Sequence, residues 1–210
     1  MNTIELLGEE ETFKNIVERG ITEFEDNKID VIRDFAFYQY STLTSVSFPV
    51  ATSIGGNAFK GCSGLTEVSF QVATSIGQSA FYSCSSLTKV SFPEITSIGD
   101  RAFYNCSKLT SVSIPKATSI GDYAFYYCSG LTEVSFPVVT SIDEYALQFC
   151  SSLTTIYVGT ESDTVCTLSS TTAFNNCPNL TNIYVPESLV DRYKSATNWS
   201  SFASKIKAAP

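Results

Sequence analysis

Residues 65–86 read LTEVSFQVATSIGQSAFYSCSS, and residues 87–108 read LTKVSFPEITSIGDRAFYNCSK. The second block repeats the first after 22 residues, and the phrase CSGLTEVSF occurs identically at 62–70 and 128–136, three such periods apart. Five regular coils of this length begin at Leu43, Leu65, Leu87, Leu109 and Leu131. A fixed period of this size predicts a stack of repeats in which each coil buries the faces of its neighbours.

The residue pattern within each coil predicts a short strand followed by tight turns. In LTEVSF the apolar residues Leu65, Val68 and Phe70 alternate so that a strand points them inward, and Ile76 and Phe81 return to the core. The glycines of one column are expected to adopt a positive φ in a turn; they are Gly55, Gly77, Gly99 and Gly121. No coil has room for a long helix.

The repeat extends over most of the chain. A degenerate coil begins at Ile21, and the coil over residues 153–179 is lengthened by five residues within GTESDTVCTLSST at 159–171. We therefore predict one structural domain: an N-terminal helical cap over 1–20, a solenoid over 21–185 and a C-terminal helical cap over 186–210. The first cap rests on Phe13, Ile16 and Val17 at helical spacing. The second predicts two short amphipathic helices, carried by Leu189, Val190 and Tyr193 and then by Trp199, Phe202 and Ile206.

The pattern LTxVSFP…TSIGxxAFxxCSxL closely resembles the BspA-like, Treponema-type class of leucine-rich repeats. Ala80, Phe81, Cys84 and Leu87 carry this resemblance, with their equivalents in the other coils, and it covers about residues 21–185. It implies a leucine-rich-repeat solenoid, a curved parallel β ladder with short turns or 3-10 segments. It also implies an interaction protein, because known members are mostly bacterial or protozoan surface proteins that bind host proteins or other cells. It carries over no catalytic residue.

Composition and charge exclude several partner classes. The net charge is −8, residues 1–30 alone carry −6, and the near-neutral remainder offers no basic patch for nucleic acid. No apolar run approaches the roughly 18–20 residues that a membrane span needs. The resemblance favours a cell-surface or extracellular location, although no signal peptide or anchor is visible in the sequence.

The seven cysteines follow the repeat rather than a pairing pattern. Five of them are 22 residues apart, from Cys62 to Cys150, and no C-x-x-C spacing indicates a metal site. We interpret them as a ladder of buried, reduced thiols and expect Cys166, in the irregular coil, to be the most reachable. No cofactor is expected, and the absence of histidine, the commonest general base, argues against an enzyme.

Two columns are candidate binding surfaces. One threonine is present in every coil, as at Thr66 and Thr88, and the residue after it varies from coil to coil. This variable column is expected on the concave face, with candidate contacts at Glu67, Lys89, Ser111, Glu133 and Thr155. The alternative is a solvated face on which Glu67 simply pairs with Lys89 across neighbouring strands.

The second candidate column is aromatic and contains Tyr82, Tyr104 and Tyr126. Tyr123, Tyr127, Tyr145 and Phe149 lie close to it in the pattern. Such rings could stack on sugars or anchor a protein, or they could pack only along their own stack.

We expect non-catalytic binding of a protein or glycan at a cell or host surface. The irregular loop is a third possible contact, since a lone irregular loop on a regular scaffold often carries function. The alternative function is a structural or receptor-binding component of a prophage particle.

Overall fold

The computed structural model describes residues 20–210. The predicted N-terminal cap, with Phe13, Ile16 and Val17, therefore lies outside the described residues. The described chain forms parallel strands stacked coil upon coil, in two series. The first series contains β1 (Glu23–Glu25), β3 (Ser45–Ser47), β5 (Glu67–Ser69), β7 (Lys89–Ser91), β9 (Ser111–Ser113), β11 (Glu133–Phe136), β13 (Thr155–Val158), β15 (Asn182–Val185) and β16 (Ile206–Ala208). The second contains β2 (Val31–Ile32), β4 (Ser53–Ile54), β6 (Ser75–Ile76), β8 (Ser97–Ile98), β10 (Ser119–Ile120), β12 (Ser141–Ile142) and β14 (Thr167–Leu168).

Equivalent columns of the repeat pair directly across the sheets. Ser45 pairs with Glu67 and Ser75 with Ser97, in each case 22 residues later and in parallel register. The second series is one continuous sheet of seven strands, whereas the first is bonded as β1-β3-β5 and as a six-stranded sheet from β7 to β16. This arrangement confirms the predicted leucine-rich-repeat solenoid.

The core between the strand series is built from continuous columns of side chains. Phe59, Phe81, Phe103 and Phe125 stack in one such column, with ring centroids 5.1–5.2 Å apart and planes within 3° of parallel. Leucine, isoleucine and alanine columns beside them are equally buried. Because each ring covers the ring of the neighbouring coil, no coil has a complete core of its own.

The third side of each coil is a chain of turns rather than a sheet. Backbone bonds still join neighbouring coils there: Phe59 N–H donates to Ala80 O and Phe81 N–H donates to Ala102 O, both at 2.7 Å. Two columns on this side have a left-handed backbone with φ between 55° and 79°. They comprise Phe35, Asn57, Ser79, Arg101, Tyr123 and Tyr145, and Gln39, Gly61, Ser83, Asn105, Tyr127 and Phe149.

The predicted positive φ of the glycine column is wrong. Gly55, Gly77, Gly99 and Gly121 are not among the left-handed residues. Glycine is needed there because adjacent coils approach closely: a Cβ on Gly77 would lie 2.7 Å from Gly56 N, and one on Gly99 would lie 2.7 Å from Ile76 O.

All seven cysteines are free and buried, which agrees with the interpretation as a ladder of thiols. Each of the five thiols from Cys62 to Cys150 donates to a phenylalanine carbonyl of the coil before, as Cys84 does to Phe59 O at 3.1 Å, and Cys177 donates to Leu147 O. The expectation for Cys166 is wrong, because its residue is only 1% exposed. Its N–H donates to the Tyr193 hydroxyl at 2.9 Å, and its carbonyl accepts from Trp199 Nε1 at 2.7 Å.

Most of the extra residues of the irregular coil lie in one loop. Ser141 pairs with Thr167, which is 26 positions later instead of 22, so four of the five extra residues lie between Val158 and Thr167. A 3-10 helix, Thr171–Phe174, follows β14.

The C-terminal segment folds over this coil. It contains 3-10 helix Glu187–Leu189, α1 (Val190–Ser195) and 3-10 helix Trp199–Lys205. The prediction that the last helix includes Ile206 is wrong, because Ile206 begins β16 and pairs with Ile183. No helix within residues 20–210 is long and apolar enough to cross a membrane.

Candidate functional site

The predicted variable column lies on the outward side of the first strand series, which we call the strand face. Glu67, Lys89, Ser111 and Glu133 are exposed there, and Lys89, Ser111 and Glu133 occupy directly paired positions on β7, β9 and β11. Thr155 occupies the next paired position on β13 but is only 8% exposed. Its hydroxyl lies 3.5 Å from Asn182 Nδ2, so its side chain adds little to the accessible strand face.

The strand pairing of the first series is interrupted between β5 and β7, and Glu67 and Lys89 lie on either side of this interruption. The two strands remain neighbours, since Thr88 N–H still reaches Thr66 O at 3.4 Å. Among residues 20–210, however, no ion pair joins Glu67 to Lys89. Both charges are therefore available to solvent, and an open groove between them is lined further by Ser91 and Ser111.

The invariant threonine column is explained by backbone contacts. Thr66 Oγ1 donates to Thr44 O, and Thr110 Oγ1 donates to Thr88 O, both at 3.0 Å. A second threonine column, which the sequence analysis did not single out, repeats this contact where Thr118 Oγ1 donates to Thr96 O at 3.0 Å. These hydroxyls join successive coils, so the fixed columns stabilise the stack.

The aromatic column forms a stack on the turn side of the solenoid. The rings of Tyr82 and Tyr104 are 4.6 Å apart and within 2° of parallel, and those of Tyr104 and Tyr126 are 4.8 Å apart at 14°. Lys60 Nζ lies over the Tyr82 ring, 4.8 Å from its centroid. The structure thus brings together all three tyrosines that the sequence analysis selected.

Tyr126, the last ring of this stack, also belongs to a group of five rings that we call the aromatic cluster: Tyr123, Tyr126, Tyr127, Tyr145 and Phe149. Tyr123 stacks on Tyr145 and Tyr127 stacks on Phe149, each pair with centroids 4.7 Å apart. Tyr126 joins the two pairs, because its centroid lies 5.4 Å from Tyr123 and 5.1 Å from Tyr127. The cluster is therefore one continuous surface spanning two coils.

The cluster is partly open to solvent. Tyr127 is 45% exposed, and the other four members are half-buried. Partial burial, followed by the neighbouring tyrosines, raises the pKa of Tyr126, and burial also raises the pKa of Tyr104. Their phenols stay protonated at neutral pH and are able to donate as well as accept hydrogen bonds.

Four cluster members occupy left-handed backbone positions. The φ angles are 57° for Tyr123, 60° for Tyr127, 57° for Tyr145 and 62° for Phe149. Positive φ is uncommon outside glycine, is tolerated best by asparagine and aspartate, and is disfavoured for bulky side chains. In earlier coils the same two columns contain Phe35, Gln39, Asn57, Gly61, Ser79, Ser83, Arg101 and Asn105. Over the two consecutive coils from Tyr123 to Phe149 both columns contain only aromatic residues, and this change is visible in the sequence.

Carboxylates run alongside the cluster. Asp100 Oδ1 accepts from the N–H of Asp122 at 3.1 Å, and Asp122 Oδ1 accepts from the N–H of Glu144 at 2.9 Å. Asp122 and Glu144 directly precede Tyr123 and Tyr145 in the chain. The guanidinium of Arg101 lies over the Tyr123 ring, 4.9 Å from its centroid.

The family model for the BspA type leucine rich repeat region matches the chain in six copies, over residues 9–118 and 74–204. A solved leucine-rich cell surface protein from Faecalibacterium prausnitzii is 33% identical, with a TM-score of 0.69 over 78% of this chain and 47% of its own. The leucine-rich repeat protein of T. pallidum is 25% identical, with a TM-score of 0.70 over 91% of this chain and 88% of its own.

A leucine-rich repeat protein from Bacteroides ovatus shares the fold, at 24% identity and a TM-score of 0.60 over 90% of this chain and 54% of its own. The chain thus spans about half the length of the F. prausnitzii and B. ovatus proteins. No curated protein matches the sequence.

Proposed function

Because the chain belongs to the BspA-type leucine-rich-repeat family, we propose that it is a non-catalytic module that binds a protein or glycan partner at a cell surface. Repeats of this family imply an interaction module. The surface location is supported by the F. prausnitzii relative, which is described as a leucine-rich cell surface protein and is 33% identical over 78% of this chain.

The observation that carries this proposal is the aromatic cluster. Tyrosine is enriched among residues that dominate binding energy at interfaces, because it combines a large apolar ring with a polar hydroxyl. Here four tyrosines and Phe149 are contiguous, and Tyr127 is nearly half exposed. The strand face, with Glu67, Lys89 and Glu133, is the second surface that a partner is able to contact.

Binding is tested with the full chain immobilised and exposed to a glycan array and to a panel of purified extracellular proteins. We expect saturable binding in one panel. Tyr127→Ala is expected to weaken that binding more than the combined substitution of Glu67, Lys89 and Glu133 by alanine. Absence of binding in both panels would refute the proposal that the chain is an interaction module.

The surface location needs a separate test. Protease treatment of intact native cells, followed by immunoblotting, is expected to remove the protein, with lysed cells showing that the protease cuts it. Survival of the band until lysis would contradict display on the cell surface.

A further inference from the structure

We propose that the aromatic cluster is a docking site for a protein surface rich in basic side chains. This inference rests on the proposed function and narrows its partner to one chemical class. It starts from the backbone, because four of the five cluster members occupy left-handed positions that bulky residues disfavour.

The stack itself does not require aromatic residues at these positions. In the coils before the cluster, Asn57, Ser83 and Asn105 occupy the same columns, at φ of 56–58°. The phenylalanine column beneath is fully buried in those coils as well, as Phe59 and Phe81 show. The chain therefore builds the same coil with residues better suited to a left-handed backbone. Outliers of this kind cluster at binding sites.

The presentation of the rings favours a protein over a glycan. A sugar ring stacks on an open aromatic face, but here each ring of the cluster is already stacked on another ring. Tyr104 lies between Tyr82 and Tyr126, and Tyr123 lies between Arg101 and Tyr145. Stacking thus covers at least one face of every cluster member, which favours contacts through ring edges and phenol hydroxyls. Edges carry the positive part of the ring quadrupole, and hydroxyls pair with backbone groups, so both suit carbonyl oxygens and edge-to-face contacts of a protein.

The charge beside the rings indicates the character of that protein. Asp100 and Asp122 accept backbone N–H groups through their carboxylates in successive coils, and Asp122 and Glu144 directly precede Tyr123 and Tyr145 in the chain. Arg101 is the one cation shown over a cluster ring within residues 20–210. Acidic residues outnumber the single arginine here, so the local charge balance is negative. A partner with exposed arginine or lysine complements this charge.

The test uses variants that the fold itself suggests. In the triple variant Tyr123→Asn, Tyr127→Asn and Phe149→Asn, each ring is replaced by the residue found in the same columns at Asn57 and Asn105. Ser83→Asn is the matched control, because it introduces the same residue at a left-handed position of one of these columns without removing a ring. Thermal unfolding of both variants establishes that they are folded.

A phage-displayed library of short random peptides is selected on the wild-type full chain alone, and the selected peptides are then tested on each variant. Selected peptides are expected to be enriched in arginine and lysine, and to bind the triple variant about tenfold or more weakly than wild type and Ser83→Asn. Their affinity is expected to fall as salt is raised.

Three results would overturn the proposal. Equal binding of the peptides to the triple variant would place the site elsewhere, and selection of acidic or uncharged peptides would refute the basic partner. A glycan that binds the wild type but not the triple variant would identify a glycan as the occupant. These results differ from failure of the proposed function, in which the wild-type chain captures nothing in the protein and glycan panels.

Discussion

Tyr127 and Asn105 occupy the same left-handed backbone position one coil apart, with φ angles of 60° and 58°. The ring of Tyr127 stacks on Phe149, which is itself left-handed, at a centroid distance of 4.7 Å. A left-handed residue with a Cβ costs roughly 1–2 kcal/mol, whereas an aromatic pair contributes about 0.5–1.5 kcal/mol beyond its buried area. The stacking contribution is thus offset by the backbone cost, which supports the assignment of this pair to binding.

The substitution Tyr127→Asn tests this balance. We expect the free energy of unfolding to change by less than about 1 kcal/mol, because the lost stacking is offset by the better backbone preference of asparagine. Urea unfolding measures the change. Phe125→Ala is the contrast, since this fully buried ring stacks on Phe103 and its loss costs about 3–5 kcal/mol. Similar losses in both variants would show that Tyr127 is a core residue.

The close approach of coils at the glycine column predicts that an added side chain there destabilises the protein. A Cβ on Gly99 would lie 2.7 Å from Ile76 O and 2.8 Å from Gly77 C, so Gly99→Ala must push two coils apart and is expected to cost about 1–3 kcal/mol. In Gly56→Ala the nearest atom to the new Cβ is 3.5 Å away, and this control is expected to be neutral or to gain about 0.4–1 kcal/mol. Thermal unfolding compares the two, and equal effects would contradict the close approach of the coils.

The repeat made most of the fold predictable because its apolar columns report which side chains face inward. Leu65, Val68 and Phe70 are buried as the alternation predicts, and successive coils pair in the register that the 22-residue spacing sets. Tyr82 and Tyr104 stack for the same reason, since in-register coils place identical columns on top of one another.

The errors arose where contacts are not encoded by the repeat. A column of glycines is compatible with a positive φ or with the close approach of a neighbouring coil. Only the position of that coil distinguishes the two, as at Gly99. Cys166 was expected to be accessible because its coil is irregular. It is covered by Tyr193 and Trp199, which lie 27 and 33 residues further along the chain. Non-local contacts of this kind leave no local pattern in the sequence.

Closure of the irregular coil by the C-terminal segment is testable at one hydroxyl. Tyr193→Phe removes the acceptor of the buried Cys166 N–H and is expected to cost about 1–3 kcal/mol, because that donor is left unpaired. Hydrogen exchange should quicken at the Cys166 amide. Tyr184→Phe is the control: its half-buried ring stacks on Tyr157, and its hydroxyl has no hydrogen-bond partner within residues 20–210, so we expect a change below about 0.5 kcal/mol. Equal exchange in wild type and Tyr193→Phe would refute closure through this contact.

The thiol ladder predicts a loss of stability in alkali. Burial raises the pKa of Cys128 and of Cys166 from the ordinary value of 9.0 to about 12. Above about pH 9 the unfolded chain releases thiol protons that the folded chain retains, so the unfolded state binds fewer protons and the free energy of unfolding falls as pH rises. The fall for each such thiol approaches about 1.4 kcal/mol per pH unit and ends near pH 12, where the folded thiols also ionise.

Urea unfolding between about pH 8 and pH 10 measures this slope. Cys128→Ala removes one buried thiol, and it is expected to be less stable than wild type at neutral pH but to lose less stability over the alkaline range. Native protein should also resist iodoacetamide at about pH 8, while all seven thiols react in urea, because only the unfolded chain exposes them with a near-ordinary pKa. An unchanged alkaline slope in Cys128→Ala, or rapid alkylation of the native chain, would show that the thiols are not held in the buried, protonated state.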